Sequence, residues 1–588
     1  MLKRLIALTV VFFFLFFAGL ALSDDGNEAE RANFVVAGEL GRRLDEYLTR
    51  ASEFGFSGTV LVARGGEIAL HKGYGLADQK AGVPATTRTV YDVASITKQF
   101  TSAAILRLEK EGRLKTGDPI TKFFKDVPAD KAAITLHHLM THTSGLAAVL
   151  EGEKPVTRDE FIKGMLAGKL QSRPGERYSY SNAGYTLAAA VIEIVSGKSF
   201  EAFLTEQLFK PAGMTDTGFY EDEAKWEPGL VAHGYNESVD KGAPNSQRKD
   251  YRFRGSSYVI TTTGDLYKWE VALKGDKILD KDAKQKWLAP HAPTGQPRVA
   301  YGYGWAVSET PRKSRLVSHD GISFQGFNSI FHRYVDEDTV VIVASNTMFG
   351  RFMPTVTLQP DLWAIIFGGK ARELPVSAAL APEAVGRYGG TYEFASGARL
   401  YVEAEGKRLK IAAEGQEALD YLSDADVAKQ RLHAELNRRG EAVFKAMAAG
   451  DFTPFVEEFR GRVPADQIKQ MAERLWARWQ EQHGRFKSLE LLGTVSETEA
   501  AQTYFRINFE RASEVRRCRW EQGRLAYILQ ATLPLIPTVF VPQSETVFAG
   551  FNLGLARVVK LEFAVDDKRA VTGLIFENGS GRSIARRK

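Results

Sequence analysis

The stretch Tyr91-Asp92-Val93-Ala94-Ser95-Ile96-Thr97-Lys98-Gln99-Phe100 sets what the surrounding chain can become. Phe100, Ala104, Ile105 and Leu108 follow at helical spacing, so a helix is expected from about Ser95 to Gly112. Residues three apart share one face of such a helix, which puts the Lys98 amine within reach of the Ser95 hydroxyl. A serine hydroxyl attacks only after a base takes its proton. A lysine serves as that base only when burial or a second cation lowers its pKa. The helix start adds backbone N–H groups and a positive dipole end, which suit an oxyanion. Two residues and one helix start thus sketch covalent serine chemistry. Taken alone, Ser-x-x-Lys is also what an N-cap serine beside a solvated lysine looks like.

The chain has 588 residues, 44% of them hydrophobic and 25% charged, which fits a globular protein of two to four domains. A net charge of +5 with no long basic run gives nucleic-acid binding no support. Cys518 is the only cysteine, so no intrachain disulfide forms and stability must come from packing. It lies in a strand-like stretch, 514–520, and reads as a small core residue. Met1-Leu2-Lys3-Arg4, an apolar run over 5–22 and Ala21-Leu22-Ser23 read as a signal peptide over 1–23, implying export to the periplasm or beyond. The run nearly spans a bilayer, so an uncleaved membrane anchor through residues 5–22 is the alternative. Residues 24–33 are polar and small, a linker.

Further on, residues 34–54 have helical spacing, and 57–63 with 68–74 form a β-hairpin around Arg64-Gly65-Gly66-Glu67. His138 and His142 are four apart, as in a helical zinc pair. No Glu follows the first, and Thr141-His142-Thr143-Ser144-Gly145 reads as a turn, so a structural role is expected and neither metal nor cofactor is implied. Tyr180 and Asn182 precede a helix expected over 186–196. A phenol beside an ammonium has a lowered pKa and carries protons, and an amide two residues on suits a substrate carbonyl. Their bland reading is two turn residues satisfying local backbone. His319-Asp320-Gly321-Ile322 then leads into an apolar strand at 326–331 and another at 339–345. Two strands with a glycine gap fit a sheet edge that a substrate backbone approaches closely.

Ser95-x-x-Lys98, Tyr180-x-Asn182 and His319-x-Gly321, in this order and with the flank Leu139-Met140-Thr141-His142-Thr143-Ser144-Gly145-Leu146, resemble the class C β-lactamase and penicillin-binding-protein superfamily, in its branch of related esterases and D-amino-acid peptidases. The resemblance covers about residues 36–370. It implies an antiparallel sheet flanked by helices plus a helical lobe, with the site between them. It implies Ser95 as acylated nucleophile, Lys98 as acceptor of its proton and Tyr180 as base or proton shuttle. Asn182 is implied at the substrate carbonyl side, with an oxyanion hole from the N–H groups of Ser95 and Ile322. His319 stands where many members carry the lysine of Lys-Thr-Gly, and offers only a pH-dependent cation, expected to titrate near neutrality, beside the negative Asp320. That disfavours β-lactam carboxylates and favours an ester or peptide substrate. A penicillin-binding or sensing protein with little turnover is the alternative.

The expected fold class is multidomain α/β (α+β). The catalytic domain occupies 34–370 and a proline-containing linker 371–384. Strand-like runs near 389–393 and 400–404, with Leu409-x-Ile411, resemble the start of a lipocalin-like β-barrel. Helices then intervene: Leu432, Leu436, Val443, Phe444 and Met447 line one face, and Met471, Leu475, Trp476 and Trp479 another. Four strand-like runs follow, and together these resemble an NTF2-like α+β cone. Alternation returns at Val559, Leu561, Phe563 and Val565. The expectation is one barrel split into 385–426 and 541–588 by an inserted domain at 427–540, with strand 400–404 pairing with the 557–588 segment. Three domains in series is the alternative. Oligomeric state is not legible.

Overall fold

The computed structural model describes residues 34–588, apart from 153, 223–224, 238, 245–249, 350–352, 497–499, 532–537, 555 and 579–580. The leader and polar linker expected over 1–33 lie outside the described residues.

Helix α1 (Gly38–Glu53) is followed by the hairpin β1 (Gly58–Arg64) and β2 (Glu67–Tyr74). Next come α2 (Thr97–Lys110), α3 (Asn182–Ser196) and α4 (Lys281–Trp287). The strands β3 (Val299–Tyr301), β4 (Ala306–Glu309), β5 (Arg315–Ser323), β6 (Phe327–Tyr334) and β7 (Thr339–Ser345) follow, then α5 (Pro354–Ile366). One nine-stranded antiparallel sheet runs Val35–Val36, β2, β1, β7, β6, β5, β4, β3, Ala292–Pro293.

The period-2 alternation of its strands builds two cores. Leu61 and Ala63 of β1 with Val340 and Ile342 of β7 face the helical lobe of α2 and α3. Val60, Val62, Val341 and Val343 face α1 and α5 on the other side. β5 is an inner strand rather than an edge, yet it pairs with β4 only as far as Ser318. Residues 319–323 therefore run on beyond β4.

Past residue 370 the chain crosses without helix or strand to Pro382–Gly386. The barrel then begins: β8 (Gly390–Glu393), β9 (Arg399–Glu405) and β10 (Arg408–Glu414). After α6 (Gln416–Leu422), α7 (Val427–Ala448) and α8 (Ala465–His483) comes a separate four-stranded sheet, β11 (Phe486–Ser496), β12 (Ala500–Phe509), β13 (Ser513–Glu521) and β14 (Arg524–Ala531). The barrel resumes as β15 (Val539–Pro542), β16 (Val547–Asn552), β17 (Arg557–Val565), β18 (Val571–Asn578) and β19 (Gly581–Arg587). These eight strands close. The closing partners differ from the expected pair: β9 lies between β8 and β10, and the later segment is met by β8 through β19 and by β10 through β15. An interior strand of a meander has both neighbours already taken, so only its flanking strands were free to pair across the insertion.

In the inserted unit, Leu436, Val443, Phe444, Met447, Trp476 and Trp479 pack on the sheet as their spacing requires. Leu432 and Met471 instead face solvent, and His433, Ile468 and Ala472 take the buried positions beside them. Cys518 is fully buried in β13. At the seam between α6, α7 and β11, His433 Nδ1 lies 2.6 Å from Asp420 and Nε2 lies 2.6 Å from Ser496 Oγ. The barrel docks on the catalytic unit through Val541, Phe551 and Leu553, which share a core with α1 and α5. The inserted unit reaches it through a buried Arg517–Glu237 ion pair at 2.8 Å.

Candidate active site

Ser95 sits in a single 3₁₀ turn (Ala94–Ile96) that leads straight into α2. The turn is entered through Ala94 at φ 44°, a left-handed conformation that a non-glycine residue adopts only when neighbours hold it. The holder is Asp92, whose carboxylate accepts the Ala94 N–H at 2.7 Å and the Tyr220 hydroxyl at 2.7 Å. Strand β5 presses against this turn at Gly321, where a Cβ would stand 2.1 Å from the Val93 carbonyl oxygen. Any side chain there would push Ile322 away from Ser95. Both residues line one groove of about 470 Å³ with Tyr178, Tyr180, Asn182 and His319.

Lys98 is fully buried. Its Nζ lies 2.9 Å from Ser95 Oγ, 2.8 Å from Asn182 Oδ1 and 2.8 Å from the Ser256 carbonyl oxygen. Gly255, at φ 75°, lets the turn before Ser256 press against α3, because a Cβ there would meet the Tyr185 carbonyl at 2.5 Å. Desolvation drives the Lys98 amine well below the usual lysine range. A neutral amine has two N–H groups and one lone pair. The amide and peptide oxygens have no proton to give, so they take the two N–H groups and the lone pair faces the Ser95 hydroxyl.

Tyr180 hydrogen-bonds the Ser95 side chain. Its pKa is raised, not lowered as a neighbouring ammonium would have it. Desolvation is the main cause, although 37% of the residue is open to the groove, and a neutral Lys98 offers no charge to stabilise a phenolate. Asn182 stands one turn earlier than expected from its sequence: it opens α3, because the Ser181 hydroxyl caps the helix by accepting the Gly184 N–H at 3.2 Å. With Oδ1 committed to Lys98, its amide nitrogen is the part left for a substrate.

His319 departs from expectation. Its Nδ1 lies 2.8 Å from the Asp320 carbonyl oxygen and its Nε2 2.8 Å from the Tyr301 hydroxyl. The carbonyl fixes the proton on Nδ1, so Nε2 accepts from Tyr301. Burial lowers its pKa to about 4, so it is neutral at pH 7 rather than titrating there. Asp320 turns to the opposite side of β5, 2.7 Å from His332 Nε2.

The sequence pattern missed two contributors, the Ser256 carbonyl and Tyr301, while His142 takes the structural role expected of it. His142 follows the end of the short helix Leu136–Met140, so it does not share a helical face with His138. Its Nδ1 accepts the Ser181 N–H at 3.0 Å, and its ring lies 4.2 Å from that of Tyr180. His138 is occupied in the capping box with Thr135. The turn-like context of His142 was the available sign that it positions neighbours rather than binds metal.

Residues 44–358 match the Beta-lactamase family. Penicillin-binding protein 4* of Bacillus subtilis (strain 168) is 30% identical over 312 residues, covering 50% of this chain and 68% of that protein. The putative penicillin-binding protein PbpX of the same organism is 32% identical over 305 residues, covering 52% and 73%. The octameric penicillin-binding protein homologue from Pyrococcus abyssi is similar in fold, with a TM-score of 0.50 and 18% identity across 93% of this chain and 100% of that one. With the family match spanning more than half of the 588 residues, Ser95, Tyr180 and Asn182 lining one groove and Lys98 buried 2.9 Å behind Ser95, the chain belongs to the β-lactamase family of serine hydrolases.

Proposed function

We propose that the chain hydrolyses an ester or amide, as an esterase or a D-amino-acid or peptidoglycan-type peptidase, through an acyl-enzyme at Ser95. The observation that carries this is the buried Lys98 amine, held 2.9 Å from Ser95 Oγ by the Asn182 and Ser256 oxygens at 2.8 Å each, with desolvation driving its pKa well below the usual lysine range. As Oγ bonds to the substrate carbonyl carbon, Nζ takes the hydroxyl proton and the carbonyl electron pair moves onto oxygen. The N–H groups of Ser95 and Ile322 receive that oxyanion. When the intermediate collapses, the bond to the leaving group breaks and Tyr180 relays the proton from Lys98 to the departing alcohol or amine. Water then repeats the sequence on the acyl-enzyme and restores the serine.

The relatives named penicillin-binding proteins favour a second reading, in which a β-lactam acylates Ser95 with little turnover. A neutral His319 where a lysine would hold a carboxylate weighs against efficient β-lactam hydrolysis. The test compares a short-chain chromogenic ester, a D-amino-acid peptide and a chromogenic cephalosporin. Steady turnover of the ester or peptide is expected, and a single stoichiometric burst on all three would replace the hydrolase reading with the sensing one. The leader at 1–23 adds the proposal that this chemistry takes place outside the cytoplasm, in the periplasm or beyond. Cell fractionation with detection of the mature N-terminus checks it.

A further inference from the structure

We infer that the substrate carries acidic groups on an extension lying in a basic basin beside the cleft, and not next to the scissile bond. This rests on the hydrolase reading and names the class of substrate it serves.

Within the groove at Ser95, the cations one would look for are absent in effect. Lys98 is buried behind Ser95 with its amine held well below the usual lysine range, His319 is bonded to Tyr301 and the Asp320 carbonyl with a pKa of about 4, and the Asp320 carboxylate is turned to His332 on the far side of β5. A carboxylate adjacent to the reacting carbonyl therefore meets no cationic side chain among the lining residues.

The positive charge stands one step outward. A second cavity, about 980 Å³, shares Gln296 and Val299 with the first. Its walls carry Lys281 and Lys284 from α4, Arg298 from the turn before β3, Lys313 from the turn after β4 and Arg315 from the start of β5. Glu309 and Asp336 are the acids among them. Lys284 is paired with Asp276 at 2.8 Å and Arg298 with Glu309 at 3.6 Å. Lys281 and Lys313 have no ion-pair partner among the described residues, and the Arg315 guanidinium donates to the neutral Leu288 carbonyl at 2.6 Å. Leu288, Val299 and Val307 give the basin an apolar floor. An extended chain that leaves Ser95 past Tyr301 and Val299 enters this basin directly. The fitting occupant is a peptide-like segment with two or more carboxylates on an otherwise uncharged stem.

Three esters test this on the full chain: one with a flexible two-carboxylate tether, its diamide isostere, and one with a single carboxylate beside the scissile carbonyl. The tether is placed in turn on the acyl and the alcohol side. At about 20 mM salt the diacid should exceed the diamide about 10-fold in kcat/KM, and the preference should shrink at about 300 mM as screening shortens the reach of exposed charge. The ester with the adjacent carboxylate should be the poorest of the three. Combining Lys281→Glu, Arg298→Glu and Lys313→Glu should erase the diacid preference while a short neutral ester is turned over at the wild-type rate. Equal kcat/KM for diacid and diamide, or a preference that survives the triple variant, would overturn the proposal. Calorimetric binding of the same pair to Ser95→Ala reads the basin independently of turnover. If no ester is hydrolysed but the diacid still binds tighter, only the enzyme reading is lost, and equal binding would sink the basin itself.

Discussion

Ser95 and Ser496 each end a line of hydrogen bonds that could raise a serine to a nucleophile. The Ser496 line has the connectivity of a serine–histidine–aspartate triad, with both of its bonds at 2.6 Å. The Ser95 line is less conventional, a neutral lysine and a phenol. Yet among the described residues the Ser496 group is closed over by its neighbours. Ser496 is 6% exposed, His433 fully buried, and the Asp420 side chain 12% exposed. Gln416 extends the network: it donates to Asp420 at 2.7 Å and to the Thr494 carbonyl at 2.8 Å, and accepts from Asn437 at 2.7 Å. Such a network ties α6, α7 and β11 into one seam. Ser95 differs by what is left open: it is only partly buried and lines a groove, with Ile322 beside it and the Asn182 Oδ1, but not its amide nitrogen, committed to Lys98. Hydrogen-bond connectivity is shared by catalysis and by structure, and an unfilled space in front of the oxygen separates them.

The sharpest way to break this contrast is to delete each hydroxyl. Ser95→Ala should lower kcat/KM by ~10⁴ or more and abolish labelling by a fluorophosphonate probe, whereas Ser496→Ala should keep both within about twofold. Labelling at Ser496 in the wild-type chain would refute the distinction. Next in size is Lys98→Arg. A guanidinium stays charged, so it has no lone pair for Ser95, and a fall of ~10³ in kcat is expected with the fold retained by circular dichroism. His433→Ala should act in the opposite sense, leaving kcat per folded molecule unchanged while removing about 4 kcal/mol of stability in denaturant titration. The smallest effect concerns the neutrality of the cleft. His319 has a folded pKa of about 4, below its unfolded value, so its contribution to stability is complete above pH 6.5 and is lost as pH falls toward 4. That loss is at most about 3 kcal/mol. His319→Gln should flatten the stability profile over this window, and an unchanged slope would mean the imidazole is already solvated.

Elements with a strong local period were legible before any coordinates. The hairpin 58–74, α2 and the four strands of the inserted unit fall where their apolar spacing put them. The three short motifs led to Ser95, Tyr180, Asn182 and His319, which line one groove, with Lys98 buried behind Ser95. What failed to show was anything set by a distant partner. The Tyr180 shift follows from its own burial, and that of His319 from burial in a pocket where its Nε2 meets Tyr301, 18 residues earlier on another strand. Spacing carries no record of such pairings. The same holds for Leu432: the helix period was read correctly, but the choice of face was made by His433 reaching Asp420 and Ser496. The barrel's return after the insertion was visible in alternation, while its closing pairs depended on which strands were left unpaired.

That closure also decides how the inserted unit is held. It leaves the barrel after β10 and re-enters at β15, and these two strands are antiparallel neighbours, with Leu409 opposite Phe540 and Lys410 opposite Val539. Its two ends are therefore anchored side by side, like the arms of a hairpin, and the ring of eight staves runs on past them unbroken. A pull on the inserted unit loads this one pair in unzipping geometry, one hydrogen bond at a time, while the β8–β19 pair that closes the ring lies elsewhere and bears none of it directly.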